Sequence, residues 1–243
     1  MNESKFVDLS HTIEDGMVTY KGLPPPVISD YLSRDESRSR YEPGTEFVIG
    51  KIEMVANTGT YIDSPFHRYA NGKDLAALEL DWLANLEGIV VRHVGAAERE
   101  LELATFSNLA LQSPTVLDRA ITSADIDHLE VEGKAVLFHT GWDMRWRTDE
   151  YANGNHPFLT DTAAEYLATE GAALVGIDSF NIDDTATGGR PAHSILLAHD
   201  VPIVEHLCGL RDLPDAGFRF FAVPPKVRHF GSFPVRAFAL VRV

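Results

Sequence analysis

Asp63 and His67 stand four positions apart in 55-VANTGTYIDSPFHRYANGKDL-75, inside a run that is otherwise small, apolar or turn-forming. On a strand or an extended turn, residues four apart fall on the same side. The carboxylate and the imidazole can therefore face one cavity, as metal ligands or as an acid-base group with its partner. Pro65 between them fixes φ and stiffens the turn, and Gly59, flanked by Thr58 and Thr60, permits a backbone conformation closed to larger residues. The same composition also suits a strand-ending turn with a solvated Asp and a packing His.

His193 and Glu205 form a second candidate pair, separated by a helical stretch and a Pro turn that can return Glu205 to the neighbourhood of His193. Glu205 ends the apolar run 201-VPIV-204, where an unpaired carboxylate is expensive. Its compensation can come from a metal, from an arginine such as Arg190 or Arg236, or from protonation. Asp178, closing 176-GIDS-179, can orient a ligand histidine or cap the following loop, whereas capping is the role expected of Asp183 and Asp184. Ser10 and His11 in 8-DLSH-11 read as a turn cap, and His128, His156, His199, His206 and His229 have no partner at ligand spacing. Neither GxSxG nor GxGxxG nor GxxxxGK[ST] occurs, and the single cysteine, Cys208, lacks an activating neighbour. Nucleophilic catalysis and dinucleotide binding fall away.

The elements that must position these residues alternate between strand and helix. Strands are predicted at the start of 5–13, within 46–63, over 88–94, 134–142, 173–179 and 201–207, and in the runs 217–227 and 233–243. Helices are predicted over 74–88, 160–172 and 193–200, each opened by a capping residue or closed by a glycine or a turn. Residues 16–31, with Pro24, Pro25 and Pro26, read as a loop that covers something. The result is a mixed α/β domain with substantial sheet, one domain over residues 1–243. With 44% hydrophobic and 23% charged residues the chain should fold, and its net charge of −15 repels nucleic acid and anionic lipid. The absence of a signal-peptide pattern or a membrane-length apolar run, together with the lone cysteine, leads to an expected cytoplasmic location.

The run 57-NTGTYIDSPFH-67 resembles the signature H-x-G-T-H-x-D-x-P-x-H of the metal-dependent cyclase and kynurenine formamidase family, and 8-DLSH-11, 140-TGWD-143, 176-GID-178, 193-HSILL-197 and 203-IVEHL-207 follow in that family's order. The resemblance implies a swivelling β/β/α fold, a homodimer or homotetramer, a small-molecule substrate, and hydrolysis of a C–N bond in a formamide or cyclic amide. By position, Asp63 matches the bridging aspartate, His67 the acid-base histidine, and His193 and Glu205 further metal ligands. Asn57 and Tyr61 stand where the family has histidines. An amide is a poor zinc ligand, and a phenol must first lose a proton of pKa about 10. The expected centre is then one divalent metal, zinc or manganese with magnesium also suited, held by Asp63, His193 and Glu205. His67 is expected to move the proton, Tyr61 to hydrogen-bond an oxyanion, and Asn57 and Asp178 to contact substrate or support the ligands. The alternative is a metal-free site that binds a small ligand or runs acid-base chemistry with His67, Tyr61 and Glu205. Phe66, Tyr69, Trp82 and Trp142 are the candidates for an aromatic pocket, and N-formylkynurenine, from tryptophan catabolism, is the default substrate that the resemblance implies.

Overall fold

The computed structural model describes residues 4–94 and 116–242. After β1 (Ser4–Asp8), strands β2 (Val27–Leu32) and β3 (Ile49–Glu53) form a separate antiparallel ribbon joined through helix α1 (Arg34–Arg38). Then come β4 (Tyr61–Asp63), β5 (Leu86–Arg92), helix α2 (Val116–Arg119), β6 (Ala120–Ile121), β7 (Lys134–His139) and β8 (Phe158–Leu159). Helix α3 (Asp161–Thr169), β9 (Leu174–Ile177), helix α4 (Pro191–Ala198) and β10 (Ile203–Glu205) lead to the final strands β11 (Ala216–Phe221), β12 (Ser232–Pro234) and β13 (Phe238–Arg242).

One nine-stranded sheet runs in the order β1-β13-β11-β5-β7-β9-β10-β4-β12. Its centre, β5 to β10, is parallel, and both flanks are antiparallel. Parallel strands are covered on both faces, which explains the unbroken apolar runs 135-AVLF-138 and 174-LVGI-177. Successive side chains point to opposite faces. Val136, Phe138, Val175 and Ile177 therefore pack with Leu167 of α3 and Leu196 of α4, while Ala135, Leu137 and Leu174 pack with Ile62, Val204 and Phe218. The sheet curls until its two edges meet. The amide of Leu9 donates to the Ala237 carbonyl at 2.9 Å, and that of Val235 donates to the Thr60 carbonyl at 2.9 Å. The mixed α/β, sheet-dominated architecture is the one expected.

Three predicted elements differ from what forms, the first being the loop 16–31, whose last residues enter β2. In place of the helix predicted over 74–88, residues 74–85 make turns and a short 3-10 segment, Leu80–Trp82, and residues 86–88 already belong to β5. Asp74 accepts the amide of His229 at 2.6 Å and Leu75 donates to the Phe230 carbonyl at 3.1 Å, so the first turn is tied to the loop before β12. A helix this short has too little of its own stability to resist. The run 233–243 divides into β12 and β13, because residues 235–237 cross between the two edges of the curled sheet. Among the described residues no helix is long and apolar enough to cross a membrane.

Candidate active site

Sheet register places the first four side chains. In the antiparallel pairs of β4, Tyr61 lies opposite Glu205 of β10, and Asp63 lies opposite Ser232 of β12. The chain then turns through Pro65–His67, and Gly231 lets β12 press against that turn, since a Cβ there would sit 2.6 Å from His67 Cα. His193 is in the first turn of α4, whose amides Ala192 N and His193 N donate to the Asp183 carboxylate at 2.7 and 3.1 Å.

Ser232 Oγ donates to Asp63 Oδ1 and lies 2.9 Å from His67 Nδ1. Serine has one proton to give. His67 Nδ1–H is thus the donor to Ser232, and Nε2 is the nitrogen left to accept a proton. The His67 side chain is 36% exposed and lines a cavity of about 590 Å³. On the other ring, His193 Nδ1 donates to Asp183 Oδ2 at 2.6 Å, and its Nε2 sits 3.6 Å from Asp63 Oδ2 and 3.7 Å from Glu205 Oε1. Burial lowers the His193 pKa, but Glu205, Asp183 and Asp63 outweigh it and push it up to about 10. This corner calls for positive charge.

Glu205 is wholly buried, and burial pushes its pKa up. Its Oε1 accepts the amide of Ile182 at 2.7 Å and Oε2 accepts the Tyr61 hydroxyl, while the Tyr20 hydroxyl lies 3.3 Å from Oε2 and has the Phe180 carbonyl, at 3.0 Å, as a nearer acceptor. Neither expected arginine reaches it: Arg236 pairs with Asp8, and Arg190 donates to backbone carbonyls. Burial, then the nearby Glu205 charge, hold the Tyr61 phenol well above its ordinary range, so it stays protonated. With that single proton committed to Glu205, the oxyanion hydrogen bond expected of Tyr61 is not on offer in this arrangement.

The donor set fits a metal ion. Asp63 Oδ2 is buried with no hydrogen-bond partner, and 3.6 Å to His193 Nε2 is too long for one. Ligand bonds of about 2.0–2.2 Å to one ion put neighbouring donors roughly 3–4 Å apart, as the 3.6 and 3.7 Å separations around His193 require. The group whose ligand atoms all lie within 4.8 Å of one another is Asp63, His67 and His193; Glu205 approaches this group through His193 and is not a member of it. The structure therefore brings together Asp63, His67, His193, Glu205 and Tyr61, with Asn57 on the cavity wall.

Asp178 belongs elsewhere. It accepts Thr140 N at 2.8 Å, Thr140 Oγ1 at 2.6 Å and Gly141 N at 3.0 Å, holding the loop after β7, and burial pushes its pKa up to about 7. Asp183, expected only as a cap, both caps α4 and orients His193. The aromatic pocket is also corrected. Trp142 packs with Tyr151 and Phe180, Tyr69 bonds Ser194, Trp82 lies under Lys73, and the aromatic rings lining the cavity are Tyr20 and Tyr61. Sequence reasoning missed Ser232 and Tyr20, which no local spacing connects to His67 or Glu205.

A curled mixed sheet that closes around a buried carboxylate, two oriented histidines and a cation-seeking corner defines an α/β protein with a candidate metal-dependent active site. Residues 7–184 match the cyclase family, described as "Putative cyclase", and the chain belongs to that family. A kynurenine formamidase from Erythrobacter litoralis is 27% identical over 226 residues, 93% of this chain and 89% of that protein. A solved structure described as a potential metal-dependent hydrolase with cyclase activity is 26% identical, with a TM-score of 0.72 over 99% of this chain and 100% of that one. Isatin hydrolase A from Labrenzia aggregata, 19% identical, shares the fold with a TM-score of 0.78 over 99% of this chain and 94% of its own.

Proposed function

We propose that this protein is a hydrolase that cleaves the C–N bond of a formamide or cyclic amide, with N-formylkynurenine as the default substrate. Family membership and the kynurenine formamidase relative support the reaction class. The observation that carries the reading is the Asp63–Ser232–His67 chain, which leaves His67 Nε2 as a base on the cavity wall beside the His193–Asp63–Glu205 corner. A divalent metal, zinc or manganese, held by Asp63, His193 and Glu205 would supply Lewis acidity and an acidified water. His67 Nε2 takes the proton of the attacking water and returns it to the leaving nitrogen. Ser232 and Asp63 hold its tautomer, Asp183 aims His193, and Tyr61 fixes Glu205. The amides of Asn57 and Asn181 stand in the cavity where a substrate carbonyl can meet them. The exposed apolar side chains of β2 and β3, among them Tyr31 at 75%, support a homo-oligomer, and the single cysteine supports a reducing, cytoplasmic location.

The test is an N-formylkynurenine assay paired with metal analysis of wild type, His67→Asn and His193→Asn. The expected result is activity in wild type and a loss of about 10²–10⁴-fold in His67→Asn with its metal retained, while His193→Asn loses both. Metal lost equally from the two variants would make His67 a ligand. A metal-free protein with undiminished activity would favour the acid-base alternative of His67, Tyr61 and Glu205. No hydrolysis with zinc or manganese supplied would end the amidase reading.

A further inference from the structure

Two arginines stand on the rim of the cavity, each delivered by the element that carries one of the site's histidines. Arg68 follows His67, and Arg190 precedes α4. Ser194 joins them: its hydroxyl donates to the Arg190 carbonyl at 2.7 Å and accepts from Arg68 Nε at 3.2 Å. Every group that positions the two guanidiniums is neutral. Arg190 Nη1 is shared among the carbonyls of Asp184, Thr187 and Gly189, and Arg68 lies over the Tyr69 ring at 5.5 Å. Neither forms an ion pair with a carboxylate among the described residues, although the chain has 36 acidic residues to 21 basic ones. Neutral partners fix a guanidinium without spending its charge, so the rim keeps two oriented, uncompensated cations. The buried carboxylate of Glu205 lines the same cavity.

We propose that Arg68 and Arg190 are specificity-determining residues that select an amide bearing a carboxylate on the portion left at the rim while the scissile bond reaches His67. The inference rests on the amidase reading and names the substrate class within it. A planar guanidinium matches a carboxylate bidentately. A net charge of −15 repels anions at long range, so recognition of one has to be local. The bare backbone of Gly188 and Gly189 beside Arg190 leaves room for it.

The experiment compares kcat/KM for 2-, 3- and 4-formamidobenzoate with that for neutral formanilide. Wild type is expected to favour the best carboxylated isomer by about tenfold or more, the size of one charge-assisted hydrogen bond, expressed in KM. The ratio should fall by about the same factor in the Arg68→Gln/Arg190→Gln double variant and partly recover in Arg190→Lys, with each variant first checked by circular dichroism. Equal kcat/KM for the neutral and anionic substrates in wild type, or an unchanged ratio in the double variant, overturns the proposal. If nothing is hydrolysed, the amidase reading fails, and calorimetric binding of the same four compounds still decides the arginines' role. Tighter binding of a formamidobenzoate than of formanilide, lost in the double variant, upholds the proposal, and equal or absent binding overturns it.

Discussion

Asp63 and Glu205 are fully buried carboxylates on adjacent antiparallel strands, yet their surroundings oppose each other. Asp63 Oδ1 accepts from Ser232 and Oδ2 has no hydrogen bond, while Glu205 has a donor on each oxygen, from Ile182 and Tyr61. An unsatisfied buried acceptor costs about 1–3 kcal/mol and persists where a ligand completes it. A carboxylate already supplied with donors tends instead to hold a structure in place. Tyr61, at the position where the motif resemblance implies a histidine, supplies the phenol that closes Glu205. The site thus has an open side at Asp63 and His193 and a closed side at Glu205, whose remaining capacity is one further lone pair on each oxygen.

Breaking the open side should have the largest effect. Asp63→Asn keeps the shape and removes the charge, and the expected outcome is loss of bound metal with kcat/KM down about a thousandfold, roughly 4 kcal/mol. Elemental analysis and steady-state kinetics on the same sample check both. Glu205→Gln retaining less metal than Asp63→Asn would reverse the comparison. Asp183→Asn comes next, because it weakens the group that orients His193 without touching an ion. Its metal affinity should fall about 10–100-fold, read by competition with a chelating dye.

That asymmetry was only partly visible in the sequence. Asp63 and His67 could be paired because both belong to one short turn, and the buried parallel strands could be read because coverage on both faces leaves unbroken apolar runs such as 135-AVLF-138. Ser232 could not be found that way. Its contact with His67 spans 165 positions and depends on β12 pairing with β4, a register that exists only once the sheet has curled. Asp178 and Asp183 exchanged roles for a related reason: both sit near the end of β9, and only the path of the following loop decides which carboxylate meets α4. Strand β2 was hidden in a predicted loop, since both faces of its ribbon are largely exposed and no alternation marks it.

On the closed side, Tyr61→Phe removes one donor from Glu205 and leaves the amide of Ile182. A loss of about 1–2 kcal/mol in unfolding free energy is expected by urea titration, with metal stoichiometry unchanged. A Tyr61→Phe protein that loses its metal would show that the phenol supports the open side too.

The smallest effect should appear in alkali. Burial first, and neighbouring charges second, raise the Tyr61 and Tyr151 phenols well above their ordinary range. Below pH 10 both states keep these protons, and the phenols contribute no change of stability with pH. Above pH 10 the unfolded chain releases them while the native protein does not, so stability falls as pH rises, by about 1 kcal/mol per phenol half a unit beyond 10. Absorbance at 295 nm should therefore show at least two of the seven tyrosines un-ionised until unfolding, followed by a cooperative release. In Tyr61→Phe the late step should shrink by one residue. A wild-type titration in which all seven ionise together near pH 10 with the fold intact would mean that the Glu205 side admits hydroxide, and the division of the site into an open and a closed side would not survive it.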